Sequence, residues 1–271
     1  ESSDVVILCV GLDETLEGEE GDTGNSDASG DKVDLHLPKV QEELIEKVTA
    51  VGKPTIVVLM AGSAIDLNYA QDNCNGILLA WYPGARGGRA IADLLFGKES
   101  PSGKLPITFY KDLEGMPEFT DYSMKNRTYR YMEKEALYPF GYGLTYSDTC
   151  VTEAEVVGEV SAESDIMLKA TVKNNGTVDT DEVVQVYIKD LDSPLAVRNY
   201  SLCGFKRVSL KAGEEKSVEF TISNKAMNIV DEDGNRYIAG KHFRLFAGVS
   251  QPDTRSAELT GHKPAEVEIA L

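Results

Sequence analysis

Asp4-Val5-Val6-Ile7-Leu8-Cys9-Val10-Gly11 is an unbroken apolar run that stops at a glycine. A strand of a parallel sheet covered on both faces reads this way, because neither of its faces alternates toward water. Two runs of the same kind follow. Thr55-Ile56-Val57-Val58-Leu59-Met60-Ala61 ends in Gly62-Ser63, and Gly76-Ile77-Leu78-Leu79-Ala80-Trp81 ends in Tyr82-Pro83-Gly84-Ala85-Arg86-Gly87-Gly88. Between the first two, an amphipathic helix is predicted over 38–51. Pro38 sits in its first turn, Val40, Leu44, Val48 and Val51 recur at helical spacing, and Gly52 then Pro54 stop it. A second helix is predicted from Arg89 to Phe96, closed by Gly97. Strand and helix alternating across short Gly-rich turns predict an α/β fold with a parallel sheet. Lys104-Leu105-Pro106-Ile107-Thr108-Phe109 is expected to add an edge strand, since Pro106 suits an edge better than a centre.

Just past the first strand hangs the acidic turn Leu16-Glu17-Gly18-Glu19-Glu20-Gly21-Asp22. Ligand and catalytic groups in open α/β sheets gather beyond the carboxyl ends of the strands. Glu17, Glu19 and Glu20 repel one another, and a purely structural loop gains little from that. In a pocket, repulsion and desolvation would both raise a carboxyl pKa toward the range a proton donor needs. On these residues alone a solvated acidic loop is an equal reading. Asp66, past the second strand, reads as a cap rather than a cleft group. Trp81 and Tyr82 suit either sugar stacking or the core. Gly84-Ala85-Arg86-Gly87-Gly88 lacks the Lys-Ser/Thr of a phosphate cradle and reads as a tight strand-to-helix turn.

The pattern changes after about residue 110. Residues 111–148 are aromatic and irregular and end in Tyr138-Pro139-Phe140-Gly141-Tyr142-Gly143-Leu144-Thr145-Tyr146, a connector expected to be clamped down by its rings. From 149 to 271 the period becomes two. Strands are predicted over 166–172, 183–188, 217–222 and 243–248, with Asn174-Asn175-Gly176, Ala212-Gly213-Glu214 and Asp233-Gly234-Asn235 as turns, the pattern of a β-sandwich. The acidic run from Asp179 to Glu182 reads as a solvated turn.

A length of 271 residues makes two domains the default expectation. The net charge of −18 argues against nucleic acid and anionic membrane as partners, both being polyanions, and no apolar run is long enough to span a bilayer. Cys9, Cys74, Cys150 and Cys203 are scattered, and Cys9 and Cys203 are expected to be free core thiols. His36, His242 and His262 have no partners at ligand spacing, so neither a metal nor a cofactor is expected. Glu1-Ser2-Ser3-Asp4 runs straight into the first strand with no initiator Met, so the chain reads as the continuation of something longer. Its compartment is unassigned by that start, and the default expectation is a bacterial cytoplasm.

Five motifs in order resemble the C-terminal half of family 3 glycoside hydrolases, the β-glucosidases and β-xylosidases. Gly11-Leu12-Asp13-Glu14-Thr15-Leu16-Glu17-Gly18-Glu19-Glu20 resembles the family's acid/base loop. Ala80-Trp81-Tyr82-Pro83-Gly84, the run from Gly87 to Gly97 and Pro101-Ser102-Gly103-Lys104-Leu105-Pro106 are similar to its sandwich domain. Arg127-Thr128-Tyr129-Arg130-Tyr131, with the 138–144 motif, resembles the linker to its fibronectin III-like domain. The resemblance implies a three-layer α/β sandwich over 1–110, incomplete at its N-terminus, a connector over 111–148 and a fibronectin III-like β-sandwich over 149–271. It also implies retaining hydrolysis of a β-linked glucose or xylose, with an oligosaccharide or glycoside as substrate. By position the acid/base falls on Glu17, with Glu19 and Glu20 as alternatives. The nucleophilic aspartate would lie in an N-terminal (β/α)8 barrel that these residues do not contain, so the chain alone is expected to be inactive. Ser29-Gly30-Asp31-Lys32 departs from the family, which is expected to carry Gly-Asp-Arg there. The competing expectation is a non-catalytic carbohydrate-binding or structural module, which an upstream barrel carrying that aspartate would exclude.

Overall fold

Three parallel strands form the first sheet: β1 (Val6–Gly11), β2 (Thr55–Met60) and β3 (Gly76–Leu79), in that order. Their register sets Leu8 beside Val57 and Val57 beside Ile77. Helices α1 (Glu14–Glu17), α2 (Lys39–Thr49), α3 (Asn68–Asn73) and α4 (Gly87–Leu95) fill the connections. This is a computed structural model, and it describes residues 3–17, 32, 34–118 and 120–271. The chain divides into two compact units, Glu1–Lys98 with Phe109–Gly115, and Glu99–Thr108 with Met116–Leu271. No helix among the described residues is long and apolar enough to cross a membrane.

The central strand β2 is the one buried on both faces: Val57, Val58 and Leu59 are all inaccessible. β1 corrects the expectation drawn from its composition. Leu8 and Val10 are buried, but Ile7 is 45% exposed and Cys9 is exposed as well. β1 lies at the sheet edge, and one of its faces is uncovered among the described residues. All four cysteines are free, and Cys9 is a surface thiol rather than a core one.

The stripe of α2 also differs from the one its apolar residues predict. Val40, Leu44 and Val51 are exposed, and Ile45 is the buried residue of the helix. One turn before Ile45, the Gln41 side chain meets the edge of β1. Its Nε2 donates to the Gly11 carbonyl at 2.9 Å and its Oε1 accepts from the Gly11 N–H at 2.8 Å. Among the described residues no further strand lies beside that end of β1, and the amide satisfies it, so the helix faces the sheet through Gln41 and Ile45.

The second unit is a β-sandwich. Its strands are β4 (Thr149–Val157), β5 (Ile166–Asn174), β6 (Thr180–Asp190), β7 (Ser201–Leu210), β8 (Glu215–Ile222), β9 (Asn228–Val230), β10 (Arg236–Ile238), β11 (His242–Gly248) and β12 (Ala265–Ala270). A four-stranded sheet in the order β12-β11-β6-β7 faces a three-stranded sheet in the order β4-β5-β8. Alternate residues such as Leu168, Ala170 and Val172 on β5 meet Val184, Val186 and Ile188 on β6 in one core. Two short helices, α5 (Thr128–Tyr131) and α6 (Thr254–Thr260), complete the unit.

The aromatic strap is held by its rings. Tyr129 stacks on Phe140 with centroids 4.2 Å apart and meets the buried Tyr187 edge-on at 6.1 Å. The edge strand expected over 104–109 does not form. Pro106 breaks the donor series, and Leu105 instead donates to the Tyr142 carbonyl at 2.9 Å and accepts from the Gly141 N–H at 2.8 Å. The 179–182 run is not a solvated turn either. Thr180 opens β6, and Glu182 is buried, with the Lys104 ammonium 2.8 Å from its Oε1 and Thr149 Oγ1 donating to its Oε2 at 2.6 Å.

Candidate active site

β1 ends at Gly11 against the end of β2, where the Leu12 N–H donates to the Met60 carbonyl at 2.8 Å. A Cβ on Gly11 would run into that same carbonyl oxygen, so the close approach requires glycine. Asp13 then starts one helical turn. Its carbonyl accepts from the Glu17 N–H at 2.8 Å, and its Oδ1 accepts from the Leu16 N–H at 3.1 Å. This turn sets Glu17 above the carboxyl ends of β2 and β3.

Three donors from those two strand ends meet the Glu17 carboxylate. The Gly62 N–H donates to Oε2 at 3.1 Å, the Tyr82 hydroxyl donates to the same oxygen, and the Ser63 hydroxyl donates to Oε1. The cradle depends on local backbone geometry. Trp81, the residue before Tyr82, has a φ of 51°, left-handed backbone that a tryptophan adopts only under constraint. Gly62 leaves room for the Tyr82 ring, since a Cβ there would come within 2.8 Å of Cε2.

The electrostatics run against the sequence expectation of a raised pKa. Burial pushes the Glu17 carboxyl up, but the Ser63 and Tyr82 hydroxyls, the Gly62 amide and the positive Lys32 outweigh it and hold the group below its ordinary value. Burial and the adjoining Glu17 carboxylate push the Tyr82 phenol up to about 12, so it remains a donor across the working range. Burial lowers the Lys32 ammonium against the opposing pull of Glu17 and Asp34. Lys32 therefore supplies a positive charge in the segment where a family arginine was expected.

Of the carboxylates singled out from sequence, Glu17 stands in this cradle, whereas Glu19 and Glu20 lie outside the described residues. Asp66 is a turn cap, its Oδ1 accepting from the Asn68 N–H at 2.9 Å and from Asn68 Nδ2 at 2.7 Å. Among the described residues no three His, Cys, Asp or Glu side chains gather as a metal site would require.

Residues 1–146 match the glycosyl hydrolase family 3 C-terminal domain. The chain belongs to glycoside hydrolase family 3. Residues 182–251 match a fibronectin type III-like domain, in keeping with the β-sandwich around them. A xylan 1,4-β-xylosidase of Xylanibacter ruminicola is 40% identical over 259 residues, covering 94% of this chain and 30% of that protein. A β-xylosidase of Formosa agariphila is 34% identical, covering 96% of this chain and 36% of its own length. The solved β-glucosidase of Erythrobacter marinus superposes with a TM-score of 0.82 at 31% identity, over 100% of this chain and 35% of that one. The chain thus spans about a third of the length of these family 3 relatives.

Sequence reasoning did not find Ser63, Gly62, Lys32 or Gln41 as site-building residues. A signal existed for the first two, because Gly62-Ser63 directly follows the central strand. Nothing in the local pattern distinguishes Lys32 or Gln41.

Proposed function

We propose that this chain is the acid/base-bearing part of a retaining β-glycosidase, with Glu17 as the acid/base. The observation that carries the proposal is the Glu17 cradle at the carboxyl ends of β2 and β3, built by Gly62, Ser63 and Tyr82. In this reading the first unit is part of a three-layer α/β sandwich. An upstream barrel then supplies the nucleophilic aspartate and most of the sugar subsite. The substrate is a terminal β-linked xylose or glucose, and the name of the 40%-identical relative favours xylose.

The chemistry needs both protonation states of Glu17 in turn. As the nucleophile bonds to the anomeric carbon, Glu17 gives its proton to the departing glycosidic oxygen. It then takes a proton from the water that hydrolyses the glycosyl ester. The cradle and Lys32 favour the ionised form, which suits the second half. For the first half, an ionised nucleophile about 5 Å away raises the Glu17 pKa by like-charge repulsion, and its neutralisation in the ester releases that rise.

The test is Glu17→Gln in the full-length protein with a series of aryl β-xylosides. Rates with poor leaving groups should fall by about 10²–10⁴, those with good leaving groups far less, and azide should restore turnover. A uniform loss across leaving groups, unrescued by azide, would sink the assignment. The present chain alone should not turn over nitrophenyl β-xyloside above a Glu17→Ala control.

A further inference from the structure

The two oxygens of Glu17 are not equivalent. Oε2 accepts from both the Gly62 N–H and the Tyr82 hydroxyl, and Oε1 accepts from Ser63. A carboxyl oxygen has two lone-pair directions in its plane, so among the described residues Oε2 is fully engaged and Oε1 keeps one open. An amide N–H can never turn round to accept. A hydroxyl can, but the Tyr82 phenol, half exposed and wedged over Gly62, has its oxygen directed at Oε2.

We propose that Oε1 is the oxygen that gives and takes the catalytic proton, and that Tyr82 and Ser63 are the positioning residues that make it so. This rests on the reading of Glu17 as acid/base. In the first step the Oε1–H bond breaks, its electron pair stays on Oε1, and the proton passes to the glycosidic oxygen as the bond to the anomeric carbon breaks. Oε2 keeps both donors throughout. In the second step Oε1 takes a proton from the attacking water. Among the described residues, the charged groups around the cradle are Lys32 and Asp34 from the segment before α2 and Asp13 from the turn before α1. Among the described residues, the end of β2 contributes only the neutral Gly62 and Ser63.

The experiment measures the pH dependence of kcat/KM in the full-length glycosidase for Tyr82→Phe, Ser63→Ala and Ser63→Thr. Losing either donor raises the Glu17 pKa, so the alkaline limb should move up by about one unit in Tyr82→Phe and in Ser63→Ala. Ser63→Thr keeps the hydroxyl and should restore the wild-type profile. Only Tyr82→Phe lets Oε2 compete for the proton. On poor leaving groups its plateau rate should therefore fall about tenfold further than that of Ser63→Ala. An unmoved alkaline limb in Tyr82→Phe, or the larger plateau loss in Ser63→Ala, overturns the inference. If that happens while Glu17→Gln is still rescued by azide, the acid/base reading stands and the positioning roles fall. Full activity in Glu17→Gln removes both.

Discussion

At Glu17 four favourable contacts compete with one penalty, and the contacts win: burial alone would raise this carboxyl, yet it lies below its ordinary value. The sign gives a consequence for stability. A carboxyl depressed by folding stabilises the folded state above its unfolded pKa, and that stability is lost as pH falls through the lower folded value. Glu17→Gln should therefore remove part of the acid sensitivity of unfolding, measured as a smaller drop in Tm between pH 6 and pH 3. Gly62 offers a second test, since a Cβ would press within 2.8 Å of the Tyr82 ring. Gly62→Ala should displace the phenol from Oε2 and reproduce the alkaline shift of Tyr82→Phe while leaving the fold intact. A Gly62→Ala profile identical to wild type would mean that the ring can yield without losing its bond. The place of Glu17 just past a strand end was legible in the sequence, because the acidic stretch directly follows the first apolar run. Which way its proton affinity moved was not legible, since the deciding groups among the described residues are supplied by residues 32, 62, 63 and 82.

Among the elements, the latch between α2 and β1 does the most to place the turn. The Gln41 amide pairs with both backbone groups of Gly11, two residues before Asp13. Gln41→Leu keeps the helix but strips both partners, and leaving half-buried peptide groups unpaired costs about 1–3 kcal/mol. Thermal unfolding should show a lower Tm, with the loss of activity in the full-length protein exceeding the loss of stability, because Glu17 is then less firmly held. An unchanged Tm would show that water replaces the amide without cost. The same contact explains why the helix stripe was misread. Apolar spacing favoured Val40, Leu44 and Val51, but a polar residue with a backbone partner faces the sheet, and Ile45 packs behind it. β1 and β2 read alike as apolar runs, and only the strand order shows that one is central and the other an edge.

At the scale of the whole molecule, the second unit holds its N-terminal segment by an ion pair inside the protein. Lys104, with a side chain only 9% exposed, also donates to the Gly143 carbonyl at 2.6 Å, which ties the 99–108 segment to the strap and to β6. Breaking a buried pair by removing one partner costs about 3–5 kcal/mol, because the other charge is left without compensation. Lys104→Met should lower the unfolding temperature sharply, and the double variant Lys104→Met with Glu182→Leu should recover much of the loss. If the double variant proves as unstable as the single, the segment depends on the Gly143 contact and not on the charge pair. By itself the sequence determined the order of strands and helices, the change from an α/β pattern to alternating strands, the family and the place of Glu17 past the end of the first strand. Each of these is written in side chains a few residues apart, where hydrophobic period and turn chemistry act. Tertiary structure alone decided that the Glu17 carboxyl is held below its ordinary value, that Glu182 is buried, and that Cys9 and Val40 face outward. Burial and proton affinity are set by neighbours brought together from distant parts of the chain, and no local pattern records them.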